Sequence, residues 1–196
     1  MVTADRPHVQ RVGRFGPSAL ATPANAVSAA RIALGLPFLV FVAAEGASAA
    51  AATGWILLGF SDYVDGWLAR KEGTTRSGAF LDPLADKVIT VGGFVALGIQ
   101  GVFAWLPVAV IAIREVFVSV HRAVLGRRGV SVPARQLGKI KTFLQLLAVG
   151  FALLPPTAGA GWLVQGFLWL AVGVTLVSGF DVVTRGAMAQ EAAREV

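Results

Sequence analysis

The stretch DYVDGWLARKEGTTRSGAFLDPLAD, residues 62–86, decides how the rest of the chain is read. It sets Asp62, Asp65, Asp82 and Asp86 between two apolar runs, 51–60 and 88–99, in a chain with only 11 acidic residues. Charged groups beside hydrocarbon are costly and usually functional. Asp62 and Asp65 are three apart, Asp82 and Asp86 four apart, and Gly78 stands one turn before Asp82. On helices, each pair therefore takes one face. The turn-prone segment 71–77 lets the two helices fold back antiparallel, so that two acidic faces meet.

Four carboxylates in one place repel unless a counter-charge is present. Oxygen ligands in a chain with no cysteine, and with no histidine nearby, suit a hard divalent cation, Mg²⁺ or Mn²⁺, rather than zinc. Four negative charges match two such ions, and a pair roughly 3.5–4 Å apart clamps the attacking and leaving oxygens of a phosphoryl transfer. Gly66 and Ala69 leave room beside the acids for a nucleotide or diphosphate, and Arg70 offers a planar fork to phosphate.

The pattern Asp62-x2-Asp65-Gly66-x2-Ala69-Arg70-x7-Gly78-x3-Asp82-x3-Asp86 resembles the signature of the CDP-alcohol phosphotransferase family at every fixed position. The resemblance implies a membrane enzyme that moves a substituted phosphate from a CDP-alcohol to an acceptor hydroxyl. It implies Asp62, Asp65, Asp82 and Asp86 as metal ligands, with Asp86 also the general base. It places the cytidine diphosphate at Gly66, Ala69, Arg70 and Gly78. Spacing alone does not choose a base among the four acids. Pro23, Asn25, Arg31 and Pro37 look like the family's opening helix, a pattern of low specificity by itself.

The rest of the composition agrees with a membrane setting. Of 196 residues, 56% are hydrophobic and 14% charged, well below the roughly 25% charged of soluble domains. The absence of cysteine excludes disulfide and thiolate chemistry. A net charge of +6 is met by anionic head groups and phosphorylated substrates, so no nucleic-acid partner is expected. Six apolar runs, 26–44, 48–69, 78–99, 104–125, 137–154 and 162–183, are each near the ~20 residues needed to cross hydrocarbon. The sequence predicts an all-α integral membrane protein with six transmembrane helices. Ala47-Ser48-Ala49 looks like a signal-peptide cleavage site, but the run before it is too long and contains Arg31, so an uncleaved span is expected.

The connections 46–53, 98–107 and 154–164 contain no Lys or Arg, whereas the amino arm, 70–76, 127–141 and the carboxyl tail do. The positive-inside rule puts both termini and the acids at the cytoplasmic side of the cell membrane. The expected division is a basic arm over 1–21, a six-helix domain over 22–186 and a tail over 187–196. Residues 11–20 carry the charge of a short interfacial helix, against which Gly13, Gly16 and Pro17 work. Gly92, Gly93, Gly159 and Gly161 are expected to allow close helix approach. Trp55, Trp105, Trp162 and Trp169 are expected as interface anchors or packing.

A second constellation is basic: Arg114-Glu115, His121-Arg122, Arg127-Arg128, Arg135 and Gly138-Lys139-Ile140-Lys141-Thr142, with Gln145 beyond. Cations within an apolar helix need anions. Arg114 and Glu115 are adjacent, so they are expected to point apart and to need separate partners. Arg114, Arg122, Lys139 and Lys141 are the candidates for an acceptor's phosphate. Arg127, Arg128 and Arg135 read as head-group residues and His121 as a polar helix-facing residue. Gly138-Lys139 is not a P-loop, since the earlier glycine is missing and no strand precedes it.

This run resembles the family members whose acceptor is sn-glycerol 3-phosphate. Both resemblances together cover about residues 22–146, leaving Asp181 and Arg185 without a role. They imply transfer of a phosphatidyl group from CDP-diacylglycerol to that phosphorylated alcohol, with release of CMP, in a homodimer. Phosphatidylglycerol or inositol phosphate as acceptor are the nearest alternatives. A cation transporter is the remote one, disfavoured because a cation path does not want Arg70 beside it.

Overall fold

A computed structural model describes the backbone over residues 23–72, 78–127 and 136–194, and the side chains there except 23–25, 27, 62–72, 78–82 and 192–194. The amino arm and residues 128–135, with Arg128 and Arg135, lie outside the described residues. The described chain is all helix and turn. In order come α1 (Pro23–Glu45), α2 (Ala49–Glu72), α3 (Gly78–Ile99), α4 (Trp105–Arg127), α5 (Gln136–Leu153), the one-turn α6 (Pro155–Ala158) and α7 (Gly161–Arg194).

The six long helices fall on the six apolar runs, and glycine turns separate some of them. Gly46, at φ 70°, ends α1 by donating its N–H to the Val42 carbonyl at 2.9 Å. Ser48 then opens α2, its Oγ accepting the Ala51 N–H at 3.1 Å. Gly101, at φ 73°, ends α3 with a paired closure. Its own N–H goes to the Gly98 carbonyl, and the Val102 N–H reaches back to the Leu97 carbonyl. The two ends are clasped together, because Gln100 Nε2 donates to the Ala43 carbonyl at 2.5 Å.

Helix α1 packs on α2 and α3, while α7 packs on α4 and α5. Small residues set the first group's spacing. A Cβ on Gly92 would lie 2.3 Å from Leu39, and one on Gly93 would lie 2.7 Å from the Trp55 ring. Trp55 is 3% exposed and donates Nε1–H to the Leu146 carbonyl on α5 at 3.0 Å, so it serves packing. Trp105, Trp162 and Trp169 are exposed. Gly159 and Gly161 differ from expectation. Nothing lies within 4 Å of a Cβ at either, because Gly159 sits in the turn after α6 and Gly161 is the first residue of α7.

The distribution of polarity is inverted relative to a water-soluble bundle. Leu34, Val40 and Phe180 are 69%, 70% and 73% exposed, whereas Arg31, Glu115 and Lys141 are 3%, 6% and 8% exposed. Among the described residues, Ser28–Glu45 of α1 and Gly161–Glu191 of α7 are long and apolar enough to cross a membrane. This is the pattern of a bundle whose outer face suits hydrocarbon and whose interior holds the polar groups. The segment expected as a tail is helical where it is described, since α7 continues to Arg194.

Candidate functional site

The acid-bearing stretch forms the last turns of α2 and the first turns of α3, and these helices touch. Asp62, Asp65, Gly66, Ala69 and Arg70 lie on α2, with Gly78 and Asp82 on α3, all on helical backbone. Their side chains lie outside the described residues. Asp86, one turn after Asp82, is half-buried and close enough to Lys141 of α5 for their charges to attract. Among the described residues no three His, Asp or Glu side chains converge, and Asp86 is the member of the acidic quartet in that set.

Beside Asp86 opens a cavity of about 970 Å³. Its walls come from the start of α3 (Pro83, Leu84, Lys87) and from α4, α5 and α7. Arg114 and Arg122 reach it from α4, Lys139 and Lys141 from α5. The structure thus brings all four candidate acceptor residues to one lining. Arg122 and Lys139 are exposed, while Lys141 is buried.

Glu115 organises the inner wall. Its Oε1 accepts from Lys141 Nζ at 2.5 Å, from Arg114 Nη1 at 3.1 Å and from Gln145 Nε2 at 3.4 Å. Gln145 also donates to Thr175 Oγ1 at 3.0 Å. Arg114 Nη2 donates to Ser178 Oγ at 2.6 Å, and Ser178 donates to the Thr175 carbonyl at 3.2 Å. Adjacent Arg114 and Glu115 therefore do not go to separate partners, as their neighbouring positions led us to expect. Successive residues leave a helix about 100° apart, but the long arginine stem spans that angle, and Ser178 of α7 holds its far end.

Two residues left without a role above also line the cavity. Asp181 and Arg185 form an ion pair one turn apart on α7, and Arg122 lies within the field of Arg185 as well as that of Arg114. Their spacing of four was a usable signal. So was the polar stripe Thr175, Ser178, Asp181 and Arg185 on a predominantly apolar helix. His121 is half-buried and stacks on Phe117 with ring centroids 6.1 Å apart. Its Nε2 is buried without a hydrogen-bond partner, and it does not line the cavity. Arg127 is exposed at the end of α4.

The arrangement gathers Arg114, Arg122, Lys139 and Lys141, with Glu115 and Asp181 among them, around one cavity. It can hold a phosphate-bearing small molecule. A sequence model of the family described as CDP-alcohol phosphatidyltransferase matches residues 21–177. The chain is 34% identical over 176 residues to a protein of Mycobacterium tuberculosis (strain H37Rv) named "Probable phosphatidylglycerophosphate synthase", covering 87% of this chain and 84% of that one. It is 39% identical over 132 residues to the CDP-diacylglycerol–glycerol-3-phosphate 3-phosphatidyltransferase of Bacillus subtilis, covering 65% and 68%. The protein of that same name from Cereibacter sphaeroides is 30% identical over 173 residues, covering 67% and 78%.

Proposed function

The chain belongs to the CDP-alcohol phosphatidyltransferase family, and from that premise we propose that it transfers a phosphatidyl group from CDP-diacylglycerol to sn-glycerol 3-phosphate, giving phosphatidylglycerol phosphate and CMP. The observation that carries this reading is the cavity lined by Arg114, Arg122, Lys139 and Lys141 at the start of α3, with Asp86 close enough to Lys141 for their charges to attract. The names of the relatives support the choice of acceptor.

In this reading the donor's acyl chains stay in lipid, and its cytidine diphosphate lies at Gly66, Ala69, Arg70 and Gly78. Asp62, Asp65, Asp82 and Asp86 would hold two Mg²⁺ or Mn²⁺ ions; the helical placement of both acid pairs and their all-oxygen donor set fit such ions. When bound, the ions supply charge neutralisation at the diphosphate. The cationic wall grips the phosphate of glycerol 3-phosphate and aims its free primary hydroxyl. Asp86 takes the hydroxyl proton as the oxygen bonds to the phosphatidyl phosphorus. The bond from that phosphorus to the bridging oxygen breaks, and CMP departs with the electron pair. Orientation of both partners in a site sheltered by lipid supplies much of the acceleration.

We place six helices across the cell membrane, with both termini and the cavity at the cytoplasmic face, where the nucleotide and the soluble acceptor are found. Support comes from the basic connections and from the apolar outer surface. The enzymatic unit is taken as residues 22–186, in a homodimer. Mass measurement in detergent tests the dimer, and cysteine-accessibility mapping of introduced residues tests the orientation.

The decisive assay presents the purified full chain, CDP-diacylglycerol and a divalent cation with a panel of acceptors. Phosphatidylglycerol phosphate is the expected product. Cardiolipin or phosphatidylinositol phosphate would reject the acceptor assigned here. Cation flux in liposomes without CMP release would reject the enzyme.

A further inference from the structure

We infer that Glu115 is a positioning residue, a buried anion that holds Arg114 and Lys141 in the orientation in which the cavity receives the acceptor's phosphate. The inference rests on the reading of the cavity given above and adds a lining residue that acts on the acceptor through its cationic partners.

Three observations carry it. First, the donors of Arg114, Lys141 and Gln145 all end on one atom, Glu115 Oε1, and the side chains of Glu115, Lys141 and Arg114 are 7%, 10% and 11% exposed. Two cations that close together are tolerated only around a shared anion. Second, α7 is shaped for the arginine. Ser178 Oγ takes Nη2, and a Cβ on Gly179 would lie 3.0 Å from Arg114 Nε. That nitrogen is buried and has no hydrogen-bond partner, so the guanidinium is seated by its two ends. Third, the arrangement joins α4 and α5, which supply the cationic wall, to α7, which lines the same cavity. Without the Glu115 charge, Arg114 and Lys141 repel each other and lose their common anchor. Net positive charge at the wall rises, yet the geometry that lets both face one phosphate is lost.

The test separates steering from mere stability. In the full-length purified protein, Glu115→Gln raises the KM for glycerol 3-phosphate on the order of 30-fold, the low end for removing one partner of a buried charge pair. The KM for CDP-diacylglycerol stays within about twofold, because Glu115 bonds to side chains of α4 and α5 whereas the residues assigned to the donor stand on α2 and α3. Glu115→Asp, which keeps the charge, recovers most of the loss. Ser178→Ala, a smaller cut in the same cradle, raises the acceptor KM about fivefold and carries the test if Glu115→Gln does not fold. An unchanged acceptor KM, or an equal rise for both substrates, overturns the inference.

Failure of the parent reading looks different. Wild-type protein would then make no phosphatidylglycerol phosphate. The inference is in that case read from binding, as loss in Glu115→Gln of the thermal stabilisation that glycerol 3-phosphate or inorganic phosphate gives the wild type. Wild-type protein that neither phosphate stabilises overturns the inference too, because the wall would then hold no anion to be aimed.

Discussion

The helices α1, α2 and α3 are joined by shape, whereas α4, α5 and α7 are joined at the cavity by charge. In the first group glycines let rigid side chains sit against helix backbones: Gly54 against Phe38, Gly92 against Leu39, Gly93 against Trp55. In the second, Glu115, Lys141, Gln145, Thr175 and Ser178 are all buried and bonded to one another. Dispersion contacts fix spacing without caring about chemistry. A polar network fixes which groups face a ligand, and it fails as a unit when one member goes. The acidic quartet of Asp62, Asp65, Asp82 and Asp86 stands on the helices held by shape, and Arg114, Arg122, Lys139 and Lys141 on those held by charge.

The largest expected effect lies at the seam between the groups. Asp86→Asn lowers kcat by about 10²–10⁴, the usual worth of a positioned base, as read by CMP release in steady state. Turnover near wild type would remove Asp86 from that role. Next comes the group held by shape. Gly93→Ala drives a Cβ toward the Trp55 ring and Val149 and lowers stability by about 1–3 kcal/mol. Thermal unfolding in detergent measures it, and activity per folded molecule is expected to survive. Gly179→Ala is the counterpart in the other group. It displaces Arg114, and the acceptor KM rises about fivefold, equivalent to one hydrogen bond, while thermal stability changes less than in Gly93→Ala. The reverse pattern in these two glycine variants would break the comparison. Smallest is Trp55→Phe, which removes the donor to the Leu146 carbonyl. About 0.5–1 kcal/mol is expected from unfolding measurements, since that carbonyl retains its place in the α5 ladder.

The helices were legible because apolar runs and their basic or glycine-bearing connections are local signals. The face shared by each acid pair followed from spacing alone. Other features depended on partners remote in sequence. The bond between Arg114 and Glu115 needed Ser178 to hold the arginine, and the sequence does not say which helix lies opposite. Asp181 and Arg185 acquire meaning only once α7 is placed beside α4. The helical course of the tail was not legible for a different reason. Apolar residues thin out after Val183, but Ala187, Ala189 and Glu191 favour a helix on their own account, so the backbone continues after the hydropathy stops. Gly159 and Gly161 carried the composition of a close crossing but stand at a turn and a helix start.

At 34 residues, α7 is about 51 Å long at 1.5 Å per residue, against a hydrocarbon thickness of about 30 Å. On the proposed topology its final turns therefore project into the cytosol like a mast, with Asp181 and Arg185 near the deck. On that same topology the chamber beside them would straddle the boundary between oil and water. A greasy donor and a water-borne acceptor can thus arrive by opposite routes, each remaining in its own phase until they touch.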